Sequence, residues 1–274
     1  MLGKERGGSM ILKEVKLLKN INNRQFPFTL PIMRDFNQLS FKKPITILVG
    51  ENGSGKSTFL EGIAASSDLP IAGGIEISQD KELEHAQILA EAFKLSWMQK
   101  TKNGFFLRAE DFISFVRRIK SMKQDAEEEL RNIEIEYTNK SAFAKGLASM
   151  PHARTLTELN KLYNEGLDVR SHGESFLDYF QARIRPNGLY LLDEPETPLS
   201  PMRQLSLISI ILEAVKEDSQ FIIITHSPIL MALPEAEIYS FDVHPPQLIQ
   251  YEDIEHVQIT KNFLDSPQSF LRHL

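Results

Sequence analysis

The run "GENGSGKST", residues 50–58, limits the folds open to this chain more than any other segment. It follows the apolar stretch "PITILV" and leads into "FLEGIAA". It fits G-x-x-x-x-G-K-[ST] at Gly50, Gly55, Lys56 and Ser57. The pattern works only on a tight turn between a buried strand and a helix. Glycines at Gly50, Gly53 and Gly55 let the backbone turn its N–H groups inward, and the helix adds its positive end. The residues Gly50, Glu51, Asn52, Gly53, Ser54, Gly55, Lys56, Ser57 and Thr58 are therefore the candidate cradle for a nucleotide triphosphate. Lys56 is expected to reach the β- and γ-phosphates, and the Ser57 hydroxyl to ligate Mg²⁺.

Two further apolar runs read as buried strands that end in polar residues, "GLYLLDEPE" (188–196) and "QFIIITHSP" (220–228). The segment between them carries apolar residues at helical spacing. Strand, helix, strand implies a parallel sheet covered on both faces, so the fold class is α/β. "EIYSF" and "LIQYE" suggest more strands near the C-terminus. From 81 to 165 strand signals are few. Phe112, Val116, Ile119, Met122, Ala126, Leu130, Ile133 and Tyr137 recur at helical spacing, which predicts one long amphipathic helix over 111–137. "MPHARTLTELNKLYNEG" predicts another. The expected plan is an α/β core from 10–80 and 166–274, interrupted by a helical insert over 81–165.

Apolar residues make up 42% of the 274, enough for a full core. There is no cysteine, which removes disulfides and thiolate chemistry and fits a reducing cytoplasm. No apolar run approaches the roughly 20 residues that span a bilayer, so no membrane insertion is expected. The N-terminus is polar rather than a secretory signal. The codons for "KERGGS" ahead of Met10 can read as a purine-rich ribosome-binding site. Met10 is one expectation for the natural start, with 1–9 a leader or scar; a short disordered tail is the other. The net charge of −6 disfavours nucleic acid over the whole surface. A local basic cluster, Lys94 to Lys123, lies near Trp97, Phe105, Phe106, Phe112 and Phe115. It leaves a nucleic-acid or acidic partner open beside the reading as a solvated helix face.

Asp193 closes its strand where parallel sheets place ligand-binding groups, and suits a role at Mg²⁺. Glu194, next along, can take a proton from water beside a γ-phosphate. His226 ends the following strand and is a candidate to hold Glu194 and that water. "RSHGES" (170–175) is harder to read. Ser171 and Glu174 form the capping box S-x-x-E, with Phe176, Leu177 and Phe180 as the buried face. It is no G-x-S-x-G elbow, and it lacks the spacing of a helical metal pair.

In order and spacing, the phosphate loop, helical insert, "RSHGES", "LLDEPE" and His226 together resemble the ATP-binding-cassette (ABC) ATPases. The resemblance covers residues 12 to 260. Against the family signature LSGGQ, the chain keeps Ser171 and Gly173 and replaces the leucine by Arg170, the first glycine by His172 and the glutamine by Glu174. "DEPETPLSP" resembles the small soluble ABC-type ATPases and, more distantly, recombination-repair and chromosome-maintenance ATPases, more than transporter cassettes. The resemblance implies a P-loop NTPase core, ATP and Mg²⁺ as ligands, and a head-to-tail homodimer. In that dimer Ser171 and Gly173 of one copy would meet the ATP of the other. Glu194, His226 and Lys56 would be catalytic, and Ser57 and Asp193 would be metal ligands. An unknown protein partner, or nucleic acid, would receive the motion. Ser200 stands where an aspartate is usual. No clear Q-loop glutamine is present; Gln99 and Arg108 are the candidates near its place. Phe26 and Phe28 are candidates to stack on adenine, with core packing the alternative. A transporter subunit, a nucleotide-gated scaffold without turnover and a P-loop kinase are the competing readings.

Overall fold

A computed structural model describes residues 10–18, 25–72, 83–163 and 172–272. In chain order the elements are β1 (Leu12–Leu17), α1 (Pro31–Asp35), β2 (Gln38–Ser40), β3 (Ile45–Val49), α2 (Lys56–Ser66), α3 (Glu84–Ala92), β4 (Phe93–Trp97) and β5 (Gly104–Arg108). Then come α4 (Ala109–Glu136), α5 (Ala142–Tyr163), α6 (His172–Arg183), β6 (Leu189–Asp193), α7 (Pro201–Lys216) and β7 (Gln220–Ile224). The chain continues through α8 (Pro228–Met231), β8 (Glu237–Ser240), β9 (Gln247–Leu248), α9 (Glu255–Asp265) and α10 (Pro267–Leu271).

A six-stranded sheet has the order β5-β6-β7-β3-β8-β9. All its pairs are parallel except β8 with β9. Its strands β3, β6 and β7 are buried throughout and mostly apolar because both faces are covered. Alternation divides them. Leu48, Leu189, Leu191, Ile222 and Ile224 join the core around α2. Ile45, Ile47, Val49, Tyr190, Leu192, Phe221 and Ile223 join the core on the other face, with Leu207 and Ile211 of α7 and Phe176 and Phe180 of α6. The fold is thus the expected α/β P-loop plan, a mostly parallel sheet flanked by helices.

A second sheet, β2-β1-β4, is antiparallel and closes over α2 and α3. Buried Gln220 at the start of β7 joins the two sheets. Its Oε1 accepts the N–H groups of Ile11 and Leu12 at 2.9 and 2.7 Å, and its Nε2 donates to the Leu12 carbonyl at 3.0 Å.

The expected helical insert begins later than its sequence boundary. Residues 84–108 supply α3 and the strands β4 and β5, one in each sheet. β4 and β5 escape notice because they are short edge strands. "FKLSW" mixes polar with apolar residues, and "GFFLR" is a run of only five. The helical part is α4 packed against α5. The long helix predicted over 111–137 runs from Ala109 to Glu136. The second begins at Ala142, earlier than Pro151 suggested, and carries that proline inside it.

Gln220→Leu leaves two buried N–H donors without an acceptor. We expect a loss of about 2–4 kcal/mol in denaturant unfolding, with the fold otherwise retained.

Candidate functional site

Parallel register brings the polar strand ends together. Arg108 pairs with Asp193, Asp193 with Ile224, and Ile224 with Leu48. The loops leaving β3, β5, β6 and β7 therefore share one edge of the sheet. The segments that follow begin at Gly50, at Ala109 (directly the start of α4), at Glu194 and at Thr225. This is the carboxyl edge where open parallel sheets hold ligands.

The 50–58 turn has positive φ at Gly50, Gly53 and Gly55: 146°, 83° and 93°. Gly55 has a second requirement, since a Cβ there would stand 2.6 Å from Ile32 Cγ2. The Lys56 ammonium folds back on the loop and donates to the carbonyls of Gly50 and Glu51 at 2.7 and 2.8 Å. Burial pulls Lys56 below its ordinary range, and Asp242, Asp193, Glu194 and Glu51 oppose that pull. The side chain is a buried cation inside a glycine-rich turn at the start of α2, an arrangement suited to an anion.

Asp193 follows the alternation of Leu189 and Leu191 and so faces α2. The Ser57 hydroxyl stands beside its carboxylate. Burial pushes the Asp193 carboxyl up to about 7, against the pull of Ser57 and Lys56. Its Oδ1 is buried with no hydrogen-bond partner among the described residues. A buried, unsatisfied carboxylate oxygen beside a serine hydroxyl is an all-oxygen donor set that fits a hard cation such as Mg²⁺. Among the described residues no cluster of three His, Asp or Glu could hold an ion unaided. Phosphate oxygens would have to complete the shell.

Glu194 follows directly after the strand end. Its φ is +49°, an uncommon conformation for a non-glycine residue. Its N–H is held by the Ile224 carbonyl at 3.0 Å. Its Oε1 lies 3.6 Å from His226 Nε2. Ser57, Glu61, Arg108, Asp193, Glu194 and Thr197 line one cavity of about 340 Å³. The structure thus gathers Lys56, Ser57, Asp193, Glu194 and His226 at one edge.

Arg108 stands at this edge, and Gln99 does not. Gln99 hydrogen-bonds through its backbone to Ile11, at the end of the sheet where Gln220 begins β7. Arg108 forms a two-pronged pair with Asp111, Nε to Oδ2 and Nη2 to Oδ1, both at 2.7 Å. Glu61 is 3.9 Å away and pairs with His85 at 2.6 Å. The ion-pair alternative for Arg108 is therefore present, within the cavity. Of the two candidates to stack on a base, Phe28 is buried in the core and Phe26 is 50% exposed beside His85. Phe105, Phe106 and Phe112 are also buried. They are unavailable to an interface with nucleic acid.

Ser171 lies outside the described residues. Gly173, in the first turn of α6, packs so closely that a Cβ would stand 3.0 Å from the Pro198 carbonyl oxygen. Glu174 pairs with Arg203 of α7. Phe176, Leu177 and Phe180 form the buried face as predicted.

Three residues at this edge have no sequence signal. Asp242, beyond β8, accepts the Glu51 N–H at 2.7 Å and braces the phosphate loop. Glu61 sits one helical turn beyond Ser57. Glu196 binds the backbone of the histidine loop. Each acts across a long sequence separation or through a residue type too common to flag.

Residues 18–67 match a family model described as an AAA domain. The chain is 26% identical over 223 residues to the phosphate import ATP-binding protein PstB of Borreliella burgdorferi, covering 78% of this chain and 79% of the relative. The corresponding protein of Borreliella afzelii is 27% identical over 203 residues, covering 71% and 72%. Among solved structures, an Smc head domain from Pyrococcus furiosus, bound to the C-terminal domain of ScpA, aligns with a TM-score of 0.43 and 14% identity. It covers 93% of this chain and 99% of that one. A nucleotide-free ATP-binding cassette from an ABC transporter aligns at 0.45 and 16% identity, covering 94% and 96%.

The Asp193 environment has a measurable consequence in metal-free protein. Its carboxyl keeps a proton to about pH 7 when folded, against an ordinary 3.8. Stability is therefore lost as pH rises from the lower value through the higher. In EDTA at pH 8, Asp193→Asn should raise the melting temperature by about 2 °C or more. The gain should shrink toward pH 5, as read by differential scanning calorimetry.

Proposed function

We propose that this chain, a relative of the ABC-type ATPases, binds and hydrolyses Mg-ATP as an ATP-gated head-to-tail dimer and passes the resulting motion to a partner. The observation that carries this reading is the convergence of the phosphate loop, Asp193, Glu194 and His226 on one sheet edge, where Ser57, Asp193 and Glu194 line a shared cavity.

The 50–58 amides and the start of α2 receive the triphosphate. Lys56 exchanges the Gly50 and Glu51 carbonyls for phosphate oxygens. Ser57 and Asp193 would hold Mg²⁺, which when bound would neutralise charge on the triphosphate. Glu194 takes the proton of a water as that water's oxygen bonds to the γ-phosphorus. The bond from that phosphorus to the bridging oxygen breaks, and the electron pair leaves with ADP. His226 Nε2 holds the Glu194 carboxylate and the attacking water. The first turn of α6, with Gly173, supplies amides and a helix dipole to the ATP of a second copy, and Ser171, which precedes α6 in the sequence, supplies a hydroxyl. Closure then requires both nucleotides, and phosphate release opens the pair. Helices α4 and α5 carry the motion outward.

A second reading is favoured by the relatives' names, which describe phosphate import. In it the chain energises a transporter whose membrane spans lie in another subunit. Among the described residues no helix is long and apolar enough to cross a membrane. Co-purification from native membranes with a spanning subunit would select this reading.

Glu194→Gln should lower turnover by roughly 10²–10⁴-fold while ATP still binds. Light scattering after size exclusion should show dimers of this variant in Mg-ATP and monomers without nucleotide. Hydrolysis at the wild-type rate would remove Glu194 from the reaction.

A further inference from the structure

The loop that leaves β6 and the loop that leaves β7 are fastened together by side chains the proposed reaction does not use. Glu196 Oε1 accepts the backbone N–H of His226 at 2.7 Å and that of Ser227 at 3.2 Å. The Ser227 hydroxyl donates to Gln204 Oε1 of α7 at 2.5 Å and accepts from the N–H groups of Ile229 and Leu230. Gln204 Nε2 in turn donates to the Leu199 carbonyl at 3.2 Å. Gln204 and Ser227 are buried, so each of these bonds is expensive to leave unmade. The clasp spans thirty positions of sequence at Glu196–His226.

The geometry ties this clasp to the reacting groups. Glu194 is fixed from one side by its N–H bond to the Ile224 carbonyl and by its left-handed backbone. Glu196, two residues on, reaches back across the gap and fixes the backbone of His226. The 3.6 Å separation of Glu194 Oε1 and His226 Nε2 is thus set by two anchors, one on each side. Hydrogen bonds from amides to a carboxylate are roughly twice as strong as neutral ones, which suits an anchor. Burial pushes the Glu196 carboxyl up, so placing an acid here has an energetic cost.

We propose that Glu196 is a positioning residue that holds His226 against Glu194 by clamping the amides of His226 and Ser227. The inference rests on the reading of Glu194 as the base. It assigns Glu196 no contact with nucleotide or water.

Glu196→Ala and Glu196→Gln, each in the full chain, separate clamp from charge. Glutamine keeps an oxygen that can accept both amides, and alanine does not. Two readouts are needed, hydrogen exchange of the peptide spanning 224–230 and steady-state ATP turnover. With alanine we expect exchange in that peptide to quicken roughly tenfold or more while the β3 and β6 peptides stay protected. Its kcat should fall about 10–100-fold with KM within about threefold. Glutamine should restore both readouts to near wild type. Unchanged exchange in the alanine variant would overturn the clamp. Unchanged kcat beside quickened exchange would overturn its role in positioning. Glutamine as damaging as alanine, in a chain that still melts like wild type, would show that charge and not clamping is needed. If wild type and Glu194→Gln hydrolyse ATP alike, the proposed function fails, and exchange still decides the clamp. Should the alanine variant not fold, the glutamine variant decides it. Glutamine must then show wild-type protection and turnover, and loss of either counts against the clamp.

Discussion

Parallel pairing of β6 with β7 and of β7 with β3, in one register, is the constraint on which the site depends. It sets Asp193, the start of the 225–227 loop and the start of the phosphate loop side by side at one edge. Strand periodicity then distributes roles. Asp193 follows Leu189 and Leu191 toward α2 and Ser57, and Glu194, just past the strand end, lies 3.6 Å from His226 Nε2. A slip of one residue in β6 would turn Asp193 away from the α2 face and from Ser57. The two apolar cores enforce the register, because every residue of β3, β6 and β7 is buried.

Electrostatics adds a second constraint. Lys56, Asp193 and Arg108 are all buried at this edge, and each charge is met differently. Arg108 has Asp111 in a two-pronged pair. Lys56 rests on loop carbonyls. Asp193 keeps a buried oxygen without a partner among the described residues. A divalent cation together with phosphate oxygens would satisfy Asp193 and Lys56 at once, so ligand binding and local stability are linked. Arg108 also begins α4, which joins the sheet edge to the helical hairpin.

What was legible in the sequence is local. The phosphate loop announces itself through residues within ten positions, and three strands through continuous apolar runs. The long helix shows in its periodicity. Less was legible where structure depends on distant partners. The strands β4 and β5 are edge strands of mixed or brief character, and only their neighbours make them strands. Glu196 stands in plain view inside "DEPE", yet its partners are amides thirty residues away. Asp242 braces Glu51 across 191 positions of sequence. Gln99 drew attention by residue type, and the strand direction of β5 puts Arg108 at the edge instead.

At the centre is the assignment of this sheet edge as a site for a magnesium–nucleotide complex. Calorimetric titration of the wild-type chain with a slowly hydrolysed ATP analogue, in Mg²⁺ and in EDTA, tests it most directly. The predicted result is one nucleotide bound per chain, with affinity falling roughly tenfold or more when the metal is removed. Equal affinity with and without Mg²⁺, or no binding in either, would contradict the assignment.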